Sequence, residues 1–222
     1  MQEQIKTQIK NIELRINNAL KECTSENEIT LIAVSKKKSI QHIQAAYENG
    51  IRHFGENYAQ ELEEKNLNFH KKVTWHFIGP IQSNKTKIIA KNANWVHSID
   101  REKVAYKLNS ECESLHKKIN ACIQVNISNE SSKSGIEPQT LIEFADYLKS
   151  LENINLKGIM VLPSLGKDGE IQMRDSSILH QKLMQIYPDA SYLSMGTTND
   201  FESAIKFGSN MIRVGEQIFG KR

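Results

Sequence analysis

Cysteine is scarce in this chain, long apolar runs are absent, and neither sign of charge dominates. Cys23, Cys112 and Cys122 are scattered and show no CxxC spacing, which argues against a zinc ribbon or a disulfide framework. Thiols left reduced suit a cytoplasmic protein. No apolar stretch approaches the roughly 18 residues of a membrane span. The polar start Met1-Gln2-Glu3-Gln4-Ile5-Lys6 also lacks the apolar core of a secretory signal. A balance of 29 Lys+Arg against 26 Asp+Glu leaves +3, too weak for the clustered phosphate neutralisation on which nucleic-acid binding relies. Pro/Gly/Ser-rich linkers, repeats and low-complexity tracts are missing too. Residues 1–222 are therefore expected to form one domain with a substantial core.

What is present is alternation. Ile5, Ile9, Ile12, Ile16 and Leu20 recur at steps of three or four, which predicts an amphipathic N-terminal helix. Short β-branched runs then predict strands at 29–34, 51–55, 73–78 and 95–99, and again at 119–127, 156–162, 191–195 and 211–214. Helical patterns fill the gaps. Ser39 and Gly50 bracket one helix, 57–67 forms the next, and Ile88-Ile89 belong to a third. Asp100 is a candidate cap for a helix with Val104, Leu108 and Leu115 on its apolar face. A polar loop at 128–135 precedes a helix opened by Pro138. Ile178, Leu179, Leu183 and Ile186 form the expected spine of the helix at 169–186, another helix covers 200–207, and Ile218-Phe219 close the chain. Regular alternation argues for a parallel sheet with crossover helices. Eight units favour a single (β/α)8 TIM barrel with an extra N-terminal helix; an open doubly wound sheet is the competitor.

In a (β/α)8 barrel the chemistry gathers at the C-terminal strand ends. Lys36 ends the first strand, where a charge is costly to bury unless something offsets it. It can mark where the strand meets water, or serve as a desolvated amine that attacks a carbonyl to make a Schiff base. Asn57, His76, Asn126, Met160, Ser194 and Arg213 fall near the same end of later strands. Loops after strands 7 and 8 commonly hold phosphate in this fold. Here those loops offer Ser194, Gly196, Thr197 and Thr198, then Gly215. Plain alternatives exist for each: a turn and helix cap for Gly196 to Thr198, core packing for His76 and Met160, a structural ion pair for Arg213. The conjunction of an amine and a phosphate cradle points to a phosphorylated aldehyde, of which pyridoxal 5'-phosphate (PLP) is the common cofactor.

Longer motifs sharpen this. They include Ala33-Val34-Ser35-Lys36, His53-Phe54-Gly55-Glu56-Asn57-Tyr58, the run from Trp75 to Lys85, and Val96-His97-Ser98-Ile99-Asp100. Gln124-Val125-Asn126-Ile127, Ser132-Lys133-Ser134-Gly135-Ile136, Leu193-Ser194-Met195-Gly196, Arg213-Val214-Gly215 and Ile218-Phe219-Gly220 complete the set. From about Lys10 to Arg222 the chain closely resembles the pyridoxal phosphate homeostasis protein family, a single barrel related to the alanine racemase N-terminal domain. The resemblance implies that Lys36 holds PLP as a Schiff base. It also implies that Ser194, Gly196, Thr197, Thr198 and Gly215 surround the phosphate, that Arg213 faces the pyridine nitrogen, and that Asn57, His76 and Met160 line the ring. Lys133 is implied as a helper of PLP exchange. Departures from the family pattern are Lys37 and Ser39 after the lysine, Thr197-Thr198 in place of Met-Ser, and Glu216 where a small hydroxyl residue is common.

An arginine stays protonated opposite a ring nitrogen, which leaves the cofactor a poor electron sink; enzymes that need a strong sink pair that nitrogen with an acid. Racemases of this fold use a second base from a further domain of the partner chain, and this sequence ends at Arg222, so none is expected. The expectation is a non-catalytic, monomeric PLP carrier that stores, delivers or buffers the cofactor, with PLP-dependent apo-enzymes as recipients in a delivery role. The alternatives are a fold-type III amino acid racemase or decarboxylase, and a cofactor-free Schiff-base aldolase.

Overall fold

The computed structural model describes residues 1–23, 28–128, 130 and 133–220. Ser132 and Arg222 of the motifs above lie outside the described residues. Eight parallel strands close a barrel in sequence order: β1 (Thr30–Val34), β2 (His53–Glu56), β3 (Thr74–Phe77), β4 (Trp95–Ile99), β5 (Ile119–Val125), β6 (Ile154–Val161), β7 (Tyr192–Ser194) and β8 (Met211–Val214). The ring is closed by β1, which pairs with β2 on one side and, through Ile32 opposite Arg213, with β8 on the other. An open sheet would leave both edges unpaired, so the doubly wound alternative is excluded.

Helix α1 (Gln2–Lys21) precedes the barrel and packs Ile5, Ile9, Ile12, Ile16 and Ala19 inward, the face its period demands. The crossover helices are α2 (Ile40–Glu48), α3 (Ala59–Asn68), α4 (Thr86–Asn92), α5 (Glu102–Ser114), α6 (Leu141–Lys149), α7 (Lys167–Ile186) and α8 (Phe201–Lys206); α9 (Glu216–Phe219) closes the chain. Pro138 opens a 3-10 turn, Pro138–Thr140, ahead of α6. Among the described residues no helix is long and apolar enough to cross a membrane.

Two helix faces differ from the periodic reading. Leu115 caps α5 and is exposed, while Cys112 takes the inward place. On α7, Ile178 and Ile186 are exposed and the buried stripe runs through Met173, Ser176, His180 and Leu183. Polar residues enter that stripe because they are satisfied locally: Ser176 Oγ donates to the Gln172 carbonyl, and His180 Nε2 bonds the Ala190 carbonyl.

The core has two layers. The larger apolar layer fills the space between strands and helices. Inside the barrel the apolar set is small: Ile32, Trp95, Cys122, Met160 and Met211, with Tyr192 against them. Branched aliphatics usually fill this space. Here histidines and an arginine occupy much of it, and such a departure from ordinary packing marks a functional region.

Candidate functional site

Asn57 and Met160 meet at a cavity over the strand ends, Lys36 and Arg213 stand at the ends of the adjoining strands β1 and β8, and Thr198 lies apart on an outer groove. Lys36, two residues past β1, is half-buried in a tight turn in which the Lys38 N–H donates to the Ser35 carbonyl. Asn57 follows β2, and its Oδ1 is buried with no hydrogen-bond partner. Met160 on β6 and Asn57 border a cavity of about 260 Å³, with Gln124, Asn126, Lys133 and Leu162 around it. Lys133 pairs with Glu130 at 2.7 Å and donates to Ser164 Oγ at 3.2 Å, so it sits in the wall of the mouth.

Arg213 lies beneath, buried on β8. Its Nη1 donates to Ser194 Oγ at 2.5 Å and its Nη2 to the Val161 carbonyl at 3.1 Å. Among the described residues it makes no ion pair; Asp200 acts on it only through space. Burial lowers its guanidinium to about 10, which still leaves the charge in place at neutral pH. A buried cation without a carboxylate partner is costly unless hydrogen bonds or a ligand offset it.

Sequence reasoning missed what supports this arginine. His97 Nδ1 lies 2.8 Å from Ser194 Oγ, His97 Nε2 lies 2.9 Å from His76 Nδ1, and His76 Nε2 lies 2.9 Å from His53 Nδ1. His53 is opposite Thr74 and His76 is opposite Trp95, so each next histidine stands two residues further along its strand. The chain thus follows the barrel's stagger and then crosses from β4 to β7. His76 also stacks on Trp95, with ring centroids 5.8 Å apart. Burial pushes His97 down to about 3, with Arg213 adding to the effect, and holds His76 well below the usual imidazole range. Each neutral ring has one proton to share, so every contact is satisfied only when all three histidines adopt the same tautomer. His76, expected beside a cofactor ring, spends both ring nitrogens on other histidines and belongs to the floor of the site. The readable signal was a histidine inside each of three consecutive apolar strands.

The loop from β7 to α8 divides the predicted phosphate residues. The Ser194 hydroxyl is committed to Arg213 and His97 beneath the mouth. Thr197 donates both its N–H and its hydroxyl to Asp200 Oδ1, at 2.6 and 2.9 Å, which fixes the loop as α8 begins. Thr198 borders an outer groove with Asn199, Arg15, Gln217 and an exposed Glu216. Gly196 has φ +97°, and a Cβ there would meet Ala204 Cβ at 2.7 Å. Gly196→Ala should therefore lower stability by about 1–3 kcal/mol, read as a reduced thermal midpoint. At Gly215 a Cβ would lie 3.0 Å from the Val34 carbonyl oxygen, so glycine lets the β8 loop approach β1 closely.

The site tests well against PLP. It has a lysine past β1, glycine-bearing loops after β7 and β8 and, among the described residues, an unpaired buried acceptor on Asn57 and a guanidinium with no ion pair. Cys122 is inert by contrast, its thiol pushed up to about 12 by burial.

Comparison with known proteins is consistent across the chain. Residues 9–222 match the family model for the alanine racemase N-terminal domain. The pyridoxal phosphate homeostasis protein of Pasteurella multocida is 40% identical over 227 residues, covering 98% of this chain and 97% of that one. Its namesake in Vibrio cholerae is 41% identical over 98% of this chain and 96% of its own. Among solved structures, PipY of Synechococcus elongatus without PLP superposes with a TM-score of 0.88 at 30% identity, covering 98% of this chain and all of PipY. PipY with PLP bound gives 0.85 at 29% identity, with the same coverage.

Proposed function

This chain belongs to the pyridoxal phosphate homeostasis protein family, and on that premise we propose that it binds PLP at the barrel mouth and holds it on Lys36 as a Schiff base. Residues 1–222 act as one PLP-binding unit that stores, delivers or buffers the cofactor. The observation that carries this reading is Arg213: a buried guanidinium with no ion pair among the described residues, near the strand end that also presents Lys36.

Bound PLP supplies an electrophilic aldehyde and, when its ring nitrogen is protonated, an electron sink. Lys36 provides the amine for the aldehyde. Arg213 offers N–H donors to the ring nitrogen and, still charged at neutral pH, gives up no proton there. Ser194 and His97 hold the guanidinium in place from below. Asn57 and Met160 flank the ring, while Gly196, Thr197, Thr198 and Gly215 form the cradle for the phosphate. The Thr197 hydroxyl is spent on Asp200, so a hydroxyl for the phosphate would have to come from Thr198, which borders the outer groove. The arrangement favours retention over carbanion chemistry, and PLP-dependent apo-enzymes are the recipients in a delivery role.

Purified protein titrated with PLP should bind a single equivalent. Subsequent incubation with a panel of amino acids should give neither racemised nor decarboxylated product. Sustained turnover would overturn the carrier reading in favour of a fold-type III enzyme.

A further inference from the structure

Helix α3 reaches the barrel wall directly behind Lys36. Its Glu61 and Lys65 are four residues apart and share a face. Lys65 is 5% exposed, and its Nζ donates to the Ser35 carbonyl at 2.7 Å and to Glu56 Oε1 at 2.8 Å. Glu61 accepts the Lys37 N–H on both carboxylate oxygens, each at 3.0 Å. These two contacts fall on the two peptide groups that bound Lys36. The Ser35 carbonyl belongs to the peptide before it, the Lys37 N–H to the peptide after it.

The conformation between those grips needs holding. Lys37 has φ +60°, the left-handed region that a lysine seldom adopts. Buried Glu56 anchors the other side: its Oε1 also accepts the Ser35 hydroxyl at 2.6 Å. Burial, helped by the neighbouring Glu61 carboxyl, pushes this carboxyl up to about 7, against the opposing pull of Lys65 and Ser35. Glu56 and Lys65 are buried, and Glu61 and Lys65 meet this turn at its backbone groups, so their reach toward a ligand runs through the Lys36 backbone.

We infer that Glu56, Glu61 and Lys65 are positioning residues that clamp both peptide groups of Lys36 and aim its amine at the carbonyl of a bound phosphorylated aldehyde. This rests on the reading that Lys36 carries PLP. The clamp adds no bond to the cofactor; it restricts the arc through which the Lys36 amine can swing, as orientation does in any intramolecular reaction.

A double-mutant cycle tests it in the full chain with PLP as the ligand. Glu61→Ala, on the half-exposed end of the clamp, removes the Lys37 acceptor; Lys65→Met removes the grip on Ser35, and Lys65→Arg restores a donor. With Lys36 present, Glu61→Ala should weaken PLP binding and slow covalent attachment roughly tenfold, mid-range for coupled groups in contact. In the Lys36→Ala background the same change should leave PLP affinity unaltered. Lys65→Arg should recover part of what Lys65→Met loses. Equal losses in both backgrounds would show a merely structural role and overturn the inference, as would no loss in either. If Lys36→Ala alone leaves binding and attachment intact, the lysine assignment itself has failed, a separate result from failure of the clamp.

Discussion

Lys36→Ala should abolish borohydride-trapped attachment of PLP and the visible absorbance that accompanies it, while Lys37→Asn should leave both intact. The contrast follows from placement. Lys36 is half-buried between two gripped peptides at the mouth, whereas Lys37 is exposed and tolerates a residue suited to positive φ. Arg213, Asn57 and the phosphate loops remain in the variant, so PLP should still bind without the covalent link. Its affinity should fall at least about tenfold, or about 1.4 kcal/mol. Absorbance titration and mass analysis of the reduced protein measure the two effects separately. A variant that still traps PLP in full would remove Lys36 from the account.

Acid should weaken the fold through the barrel interior. His97 titrates near 3 when folded against an ordinary value of 6.5. A depressed folded value means that the unfolded chain takes up the proton first. Stability is thus fully present above about pH 6.5 and is lost as pH falls toward the folded value. From pH 6.5 to 5 the cost for His97 is about 2 kcal/mol, and His76 adds a loss of the same sign. Glu56 opposes one of these losses, because its value is raised from 4.5 to about 7 and its contribution falls as pH rises through that window. The net expectation is a loss of stability between pH 6.5 and 5, to which His53 and His180, also lowered by burial, contribute in the same direction. Urea unfolding at the two pH values reads it. His97→Gln, compared with its own value at pH 6.5, should be less acid-sensitive by about one histidine's share. Identical slopes for the two proteins would show that His97 does not stay neutral in the folded state.

The alternation of short β-branched runs with amphipathic stretches made the barrel legible, because buried parallel strands and crossover helices leave different periods in a sequence. Strands β4 and β8 have the bounds the pattern predicts, while β5 ends two residues early and β6 starts two residues early. Lys36 and Arg213 were legible as charges at the ends of apolar strands. His76 was legible as a core histidine or, through the resemblance, as a ring neighbour, but not as the middle of a chain, since its partners His53 and His97 come from other strands and meet it through the barrel's stagger. The α3 clamp was harder still. Glu61 and Lys65 look like an ordinary surface pair at helical spacing, and only tertiary packing places them behind Lys36 and against buried Glu56. Ser194 and Thr197 were read as phosphate ligands from their position in a loop, but their hydroxyls turn to Arg213, His97 and Asp200, which local sequence does not encode.

The most direct test of the central claim is where PLP is attached. The loaded protein is reduced with borohydride, digested, and the modified residue located by fragmentation across the Lys36-Lys37-Lys38 run. The phosphopyridoxyl group should be found on Lys36. A label on Lys37, Lys38 or Lys133 in its place, or none on any lysine of a protein that binds PLP, would contradict it.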